Sequence, residues 1–279
     1  MNRTRTNVVL AVALAVALVA LASERAAGFY VPGVHPVNFL DGDAVQPRVG
    51  RVSSVRKHVP YDYYDLPACQ PKNGIKNFDA NLGEVLSGDI FHNSPYSFGM
   101  RRNETCAVLC KLTLDSKSEE YETLTKVADT QPSYRVQVRI DNMPAIMMAR
   151  EVDERTGGES LMAIGKGYPL TTMYEVPGQG GDKEQNIVYG LTNHVNFFIM
   201  YHTVDSQILS SPTFGPGPSL VHRIIRVYVT SKSIDYSRLG GAAGELDCNY
   251  SKNDMPVIVG DGVEVTFTYR YDIMEGIAF

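Results

Sequence analysis

The chain of 279 residues has no tryptophan, four cysteines and a single long apolar run, Val8–Ala22. Its internal apolar stretches, such as Ala145–Ala149 and Phe197–Tyr201, are as short as β-strands. A membrane-spanning helix needs about 20 apolar residues. We therefore expect the sequence as given to encode a lumenal or secreted domain, and not a protein that crosses the membrane many times.

Positive charge is also scarce. The sequence has 26 Lys and Arg against 31 Asp and Glu, a formal net charge of −5. The pairs Arg56-Lys57 and Arg101-Arg102 stand alone and form no basic cluster. A nucleic-acid partner would require a basic face, so the charge balance argues against this class of partner.

Catalytic motifs are missing as well: there is no HExxH, GxSxG or CxxC. The segment Gly165-Lys166-Gly167 lacks the serine or threonine of a phosphate-binding loop. His194 and His202 would share one face of a strand, but about 26 Å apart, too far for one metal ion. We predict no catalytic residues, no metal site and no cofactor.

The N-terminus resembles a secretory signal peptide. Arg3 and Arg5 precede the apolar run, which is 15 residues long, and small residues follow it. That length is too short for a stable span, so we favour cleavage, after Ala22 or nearer Ala27, over an uncleaved anchor. We assign residues 1–27 to the signal peptide, and either interpretation sends the remaining chain into the lumen.

The even number of cysteines in a secreted chain indicates disulfides, and four cysteines allow three pairings. If Cys106 and Cys110 lie on one strand, their Cα atoms are about 13 Å apart and cannot be bridged to each other. We favour Cys69 pairing with one of them and Cys248 with the other. One disulfide with two free thiols is the alternative, and a zinc site is disfavoured because CxxxC lacks a second ligand pair.

Two surface features are candidate sites. The sequons Asn103-Glu-Thr and Asn249-Tyr-Ser predict lumenal glycosylation. The segment Tyr61-Asp-Tyr-Tyr-Asp65 carries three tyrosines, Tyr61, Tyr63 and Tyr64, beside carboxylates, and exposed rings of this kind could bind sugars or a partner. The alternative, which we favour, is that Tyr61 and Tyr63 pack inward from an extended segment, with Tyr64 on its other face.

Hydrophobic periodicity predicts a mainly β fold of the antiparallel sandwich type with one early helix. The helix is placed at 115–129, where Ser116 and Glu119 fit a capping box and Tyr121, Leu124 and Val127 form a stripe. Before it, frequent prolines exclude long helices. The predicted strands show period-two alternation or sustained apolar character: Tyr134–Ile140, Val195–Thr203, Ile224–Thr230 and Val263–Tyr271.

Several motifs give the chain a resemblance to one family. They run in order along the sequence: FYVPG at Phe29–Gly33, PYDYYDLPACQP at Pro60–Pro71, NLGEVLSGD at Asn81–Asp89, then Ser94-Pro95-Tyr96, CAVLC at Cys106–Cys110, DNMP at Asp141–Pro144, Asn193-His194, Tyr201-His202 and Phe267-Thr268-Tyr269. With these motifs the chain resembles the nonaspanins, also called the transmembrane nine superfamily. The resemblance covers roughly 28–269, which we treat as the lumenal domain.

The end of the chain departs from that family. Nonaspanins continue from the Phe-Thr-Tyr strand through a Trp-rich acidic stretch into the first span, whereas this chain ends in the divergent tail 270–279 without tryptophan.

The resemblance implies a non-enzymatic lumenal domain of a Golgi or endosomal protein that helps membrane-protein cargo reach its compartment. The alternative is a secreted or lumenal β-sandwich that binds glycans or acts as an enzyme.

Overall fold

The structure is a computed structural model that describes residues 36–57, 59–78, 83, 86, 88–128, 134–152, 159–177, 185–205, 220–237, 248 and 255–276. The predicted signal peptide lies outside these residues. The chain divides into residues 1–35 and the unit 36–279, and all that follows concerns the second unit.

The larger sheet has six strands and contains the longest strands of the domain. Across the sheet they are β10 (Glu159–Lys166), β9 (Ile146–Val152), β15 (Leu220–Lys232), β14 (His194–Asp205), β16 (Glu264–Glu275) and β6 (Glu104–Thr113). Most neighbours are antiparallel, but β14 lies parallel to β16, and β15 lies parallel to β9. The sheet is therefore mixed, whereas the sequence predicted antiparallel pairing. The chain brings β15 back beside the earlier β9, and β16 back beside the earlier β14, each running in the same direction as its partner.

The smaller sheet is built mainly from the proline-rich first part of the chain. Its strands, in order, are β11 (Tyr168–Pro169), β7 (Tyr134–Ile140), β2 (Arg48–Ser54), β4 (Phe91–Asn93) and β3 (Asn77–Phe78), with β8 (Met143–Pro144) also paired to β7. Two separate strand pairs complete the described elements: β1 (Ala44–Val45) with β5 (Phe98–Gly99), and β12 (Thr171–Pro177) with β13 (Gln185–Leu191).

One hydrophobic cluster contains side chains of both six-stranded sheets. Strand β7 contributes Tyr134, Val136, Val138 and Ile140, each less than 4% exposed, while Arg135, Gln137 and Arg139 alternate with them. This is the pattern of a strand with one face on the core. Five aromatic rings in mutual contact fill the space toward the larger sheet: Tyr96, Phe98, Phe197, Tyr269 and Tyr271. The mainly β, sandwich-like fold class is confirmed.

Strand positions agree closely with the sequence patterns. Strand β7 has the predicted bounds, and β14, β15 and β16 extend the other three predictions at one or both ends. Strand β16 continues through the first residues of the predicted tail, because its pairing with β14 reaches Glu275.

The predicted helix is α1, Glu119–Ala128, shorter at its start than the sequence suggested. Leu124 and Val127 are buried and Tyr121 packs against the core, as the stripe predicted. The capping prediction is wrong, because the N–H of Tyr121 donates to Oγ of Ser118, not to Ser116. Ser116 belongs to the preceding turn, where its N–H donates to Asp261. No helix among the described residues is long and apolar enough to cross a membrane.

Candidate functional site

The tyrosine segment is built into the fold and not laid over it. Tyr61 forms a backbone bridge to Val52, and its ring contacts the ring of Tyr134, with centroids 5.7 Å apart. The next tyrosines lie on a 3-10 turn, Tyr63–Asp65, where the sequence predicted an extended segment. Tyr63 is 7% exposed, and the half-buried Tyr64 donates its hydroxyl proton to the carbonyl of Asn93. The turn holds the two rings edge to face on one side of the segment.

Tyr63 belongs to a buried group with Tyr96 and Tyr168, which the sequence did not reveal. The hydroxyls of Tyr96 and Tyr168 are 3.2 Å apart. Burial raises the pKa of Tyr96 to about 12 and raises the pKa values of Tyr63 and Tyr168 well above the usual range. All three phenols therefore stay protonated at any physiological pH. The cavity beside them, of about 20 Å³, has room for roughly one water molecule and not for a substrate.

The four cysteines form two disulfides, Cys69–Cys110 and Cys106–Cys248. Cys106 and Cys110 both lie on β6, which excludes a bond between them, and each reaches a different distant segment. The prediction of two disulfides, each using one cysteine of this strand, is confirmed.

Of the two predicted glycosylation sites, the structure describes only Asn103. Asn103 is exposed immediately before β6, and its Oδ1 accepts the N–H of Ile273 at 2.9 Å. This bond leaves the glycan-bearing Nδ2 uninvolved. Asn249 lies outside the described residues. Glycosylation at both positions stays a prediction.

Asn193 ties together the ends of three elements of the larger sheet. Its Oδ1 accepts the N–H of Ile234, and its Nδ2 donates to the carbonyls of Ile234 and Thr266, all within 2.9 Å. Its own carbonyl accepts the N–H of Thr268. The side chain is 1% exposed and replaces backbone pairing where β15 ends and β16 passes.

His194 follows at the start of β14 and is likewise buried. Its Nδ1 lies 2.7 Å from Oγ1 of Thr268, and its Nε2 lies 2.9 Å from Oδ1 of Asn196. An amide oxygen only accepts, so Nε2 carries the proton and Nδ1 accepts from a hydroxyl. Burial lowers the pKa of His194 to about 4, which keeps the ring neutral. We name Asn193, His194, Asn196 and Thr268 the interior network.

A second polar network, at the other end of the same strand pair, was not anticipated from the sequence. His222 on β15 is 6% exposed. Its Nε2 lies 2.8 Å from Oδ1 of Asp41, and its Nδ1 lies 3.1 Å from Oγ1 of Thr203. Thr203 in turn donates to Oε1 of Glu275 at 2.8 Å, while Arg101 donates to Oδ2 of Asp41. We name Asp41, Thr203, His222 and Glu275 the rim network.

The two histidines considered from the sequence, His194 and His202, do not converge. Strand β14 contains both, His194 at its buried start and His202 half-buried near its other end. Within the part of the chain that the structure describes, no three side chains of His, Cys, Asp or Glu are grouped as a metal site. The polar side chains of the interior network and of the rim network form hydrogen bonds with other groups of the same chain.

Comparisons with known proteins find similar sequences over most of the chain. A family model described as endomembrane protein 70 matches residues 60–274. Transmembrane 9 superfamily member 10 of Arabidopsis thaliana is 31% identical over 257 residues, which cover 89% of this chain and 36% of the relative. Member 9 from the same plant is 38% identical over 183 residues, which cover 65% of this chain and 27% of the relative.

A human relative matches at a similar identity and coverage. Transmembrane 9 superfamily member 4 of Homo sapiens is 32% identical over 212 residues, covering 74% of this chain and 30% of the relative. The chain thus spans about a third of the length of these relatives. No solved structure matches it.

Proposed function

The chain belongs to the endomembrane protein 70 family, and from that premise we propose that it forms a lumenal, non-enzymatic domain that helps membrane-protein cargo reach the correct compartment of the Golgi and endosomes. The observation that carries the proposal is the family match over residues 60–274, which includes most of the described sandwich. The relatives are named for transmembrane proteins, and this chain corresponds to about a third of their length.

The disulfides support a lumenal location. All four cysteines are paired, and such bonds persist in the oxidising secretory pathway but are rare in the cytosol. The exposed sequon at Asn103 fits the same compartment. A glycan at this site would require the domain to have entered the endoplasmic reticulum.

The non-enzymatic part of the proposal rests on how the polar residues are used. The hydroxyls of Tyr63, Tyr96 and Tyr168 are buried and stay protonated, and Asn193 and His194 are saturated by the chain's own groups. Catalysis requires groups that can reach a substrate and change protonation near the working pH. These side chains instead stabilise the fold, so we do not propose the tyrosine segment as a sugar-binding site.

The sorting role is tested by depleting the gene product in its native cells and measuring the surface proteome. Surface biotinylation with mass spectrometry should show a subset of membrane proteins changing at least twofold, with recovery when the coding sequence is restored. Secreted soluble proteins serve as the internal control and should not change. A surface proteome that is unaltered by depletion overturns the sorting role.

Location is tested separately, so that the two parts can fail independently. The chain with a C-terminal epitope tag should be protected from protease in intact microsomes and should shift in mobility after deglycosylation. Asn103→Gln should remove part of that shift. Protease sensitivity without detergent would contradict a lumenal domain.

A further inference from the structure

We propose that the outer face of the smaller sheet, turned away from the hydrophobic cluster, binds an acidic peptide segment of a partner protein, with a carboxylate of that segment held by the guanidinium of Arg48. We name Arg48, Phe78, Phe91 and Arg139 the arginine face. The inference rests on the proposed function in one respect, because a membrane-protein cargo with an acidic lumenal segment would be such a partner.

The alternation of two neighbouring strands places both arginines on this outer face. On β2 the half-buried Arg48 precedes the buried Val49, and on β7 the half-buried Arg139 follows the buried Val138. Arg48 and Arg139 lie directly opposite each other in the register of the two strands. Like charges in opposite positions destabilise a sheet, so an anion near this pair would relieve the repulsion.

Each guanidinium lies over a phenylalanine ring. Cζ of Arg48 is 4.1 Å from the centre of the Phe78 ring, and Cζ of Arg139 is 4.4 Å from the centre of the Phe91 ring. Gly50 leaves room for the second ring, since a Cβ at this position would lie 2.7 Å from Cε1 of Phe91. A cation is attracted to the face of an aromatic ring. Both side chains are therefore held in place before a partner arrives, which lowers the cost of binding.

The two stacks differ in what completes them. Beside Arg139, Oδ2 of Asp89 lies 4.0 Å from Nη2, and the ring of Phe91 is 3% exposed. The more open stack has a half-buried ring, Phe78, and within the described part of the chain Arg48 forms no ion pair. The stack at Arg48 thus repeats the arrangement at Arg139 without its carboxylate.

The other two arginines of β2 and β7 are engaged by the chain itself. Nε of Arg51 lies 3.2 Å from Oδ1 of Asp62. Arg135 donates to two backbone carbonyls, at 2.8 and 2.7 Å. Among the described residues of these two strands, Arg48 is therefore the arginine whose N–H groups are available to a partner.

The geometry of a stacked guanidinium favours a planar anion. Its N–H groups lie in one plane, and an edge of that plane matches the two oxygens of a carboxylate. The chain as a whole has a formal net charge of −5, which repels long polyanions. Anionic lipids that attract basic segments belong to the cytoplasmic leaflet. A short acidic segment meets only the local positive charge of the arginine face.

Binding of a labelled peptide to the purified, disulfide-bonded chain tests the inference. The probe is a short peptide in which glutamates alternate with glycines, and its reference has glutamine in place of each glutamate. Fluorescence anisotropy at low ionic strength should show about tenfold tighter binding of the glutamate peptide. Equal affinities of the two peptides overturn the proposal.

Variants separate a site at Arg48 from a general effect of charge. Arg48→Gln should lower the affinity for the glutamate peptide about tenfold, and Arg48→Lys should restore only part of it, because an ammonium lacks the planar pair of donors. Arg102→Gln removes the same charge at an exposed position after β5 and is the matched control, with an expected change of about twofold or less. Equal losses in Arg48→Gln and Arg102→Gln, or full affinity in Arg48→Lys, contradict the proposal.

A second variant covers the case in which Arg48→Gln does not fold. Phe78→Leu keeps both arginines but removes the ring beneath Arg48, so the affinity for the glutamate peptide should fall about threefold. An unchanged affinity in this variant contradicts the role of the stack.

Two further probes distinguish the peptide from other anions. A heparin fragment, and vesicles of phosphatidylserine and phosphatidylcholine in equal parts, should bind the chain more weakly than the glutamate peptide does. Tighter binding of either probe that is lost in Arg48→Gln would assign the arginine face to a sulfated glycan or to a membrane and overturn the proposal. These assays use the isolated chain, so their failure is distinguishable from an unaltered surface proteome in depleted cells.

Discussion

The interior network and the rim network place two histidines at opposite ends of one strand pair, in similar burial but with different partners. His194 is 1% exposed and His222 is 6% exposed. His194 bonds a hydroxyl and an amide, whereas His222 bonds a carboxylate and a threonine that is itself bound to a carboxylate. Burial without a charged partner disfavours the imidazolium form of His194. At similar burial, the chemistry of the partners distinguishes the two ends.

The two ends should therefore differ in what their side chains contribute to stability. The interior network holds a neutral, buried ring and loses stability as pH falls, while the ring in the rim network contacts an exposed carboxylate. The following variants test this contrast, in decreasing order of expected effect.

The largest effect is expected from Asn193→Ala, which removes the side chain that fastens β14 to the ends of its neighbours. Three buried backbone groups of Ile234 and Thr266 would lose their partners. At the usual cost of unsatisfied buried groups, unfolding free energy should fall by roughly 3–5 kcal/mol. Urea denaturation measures it, with the exposed Asn73→Ala as the control, expected to change it by about 0.5 kcal/mol or less. Equal effects of the two variants would show that Asn193 does not fasten the sheet.

The next effect is the acid sensitivity of His194. The pKa of the folded state is lowered to about 4, so in the acid range the unfolded chain takes up a proton that the folded chain refuses. Stability is thus lost as pH falls from about 6.5 to about 4, by about 3 kcal/mol. His194→Gln should lack this loss. Denaturation curves from pH 7.5 to 4 measure the difference between the two proteins, and parallel pH profiles would contradict the assignment.

A smaller effect is expected from Thr268→Val. The hydroxyl of Thr268 lies 2.7 Å from Nδ1 of His194 and 2.6 Å from the hydroxyl of Tyr236. Valine keeps the shape but removes both bonds, which should cost about 1–2 kcal/mol. Thr113→Val, an exposed position of β6, is the control and should be nearly neutral in thermal unfolding. A neutral result at both positions would mean that the hydroxyl of Thr268 contributes nothing to the interior network.

The smallest global effect is expected from His222→Gln. Asp41 is 63% exposed, and pairs with exposed partners contribute little to stability. The urea midpoint at pH 7.5 should shift less than in any variant above. A global loss comparable to that of Asn193→Ala would make the two networks equivalent and remove the contrast.

The sequence predicted those parts of the fold that depend on local patterning. The alternation from Tyr134 to Ile140 determined β7 to the residue, because one face lies on the core and the other does not. The stripe of α1 was correct, while its cap moved from Ser116 to Ser118 because two serines near a helix start compete and the preceding turn holds the first.

The sites were less predictable because they are made by distant residues. Asp41 and His222 are 181 positions apart, and nothing in either neighbourhood indicates the pairing. Asn193 and His194 were singled out by the family resemblance. Why position 193 needs an amide becomes clear only from the sheet, in which its side chain bonds backbone groups at the end of β15 and on β16. The tyrosine segment misled in geometry, since an extended segment would place Tyr63 and Tyr64 on opposite faces, whereas the 3-10 turn holds their rings edge to face.

The two disulfides also determine how this domain would behave under tension. Tension applied to the two ends of the domain is carried by a short covalent path. The path passes from Cys69 to Cys110 through one disulfide, along four residues of β6 to Cys106, and through the other disulfide to Cys248. The covalent path thereby bypasses nearly all of the chain between Cys69 and Cys248, which would span roughly 600 Å if stretched. Only reduction releases that hidden length, so an oxidised domain is nearly inextensible across most of its sandwich.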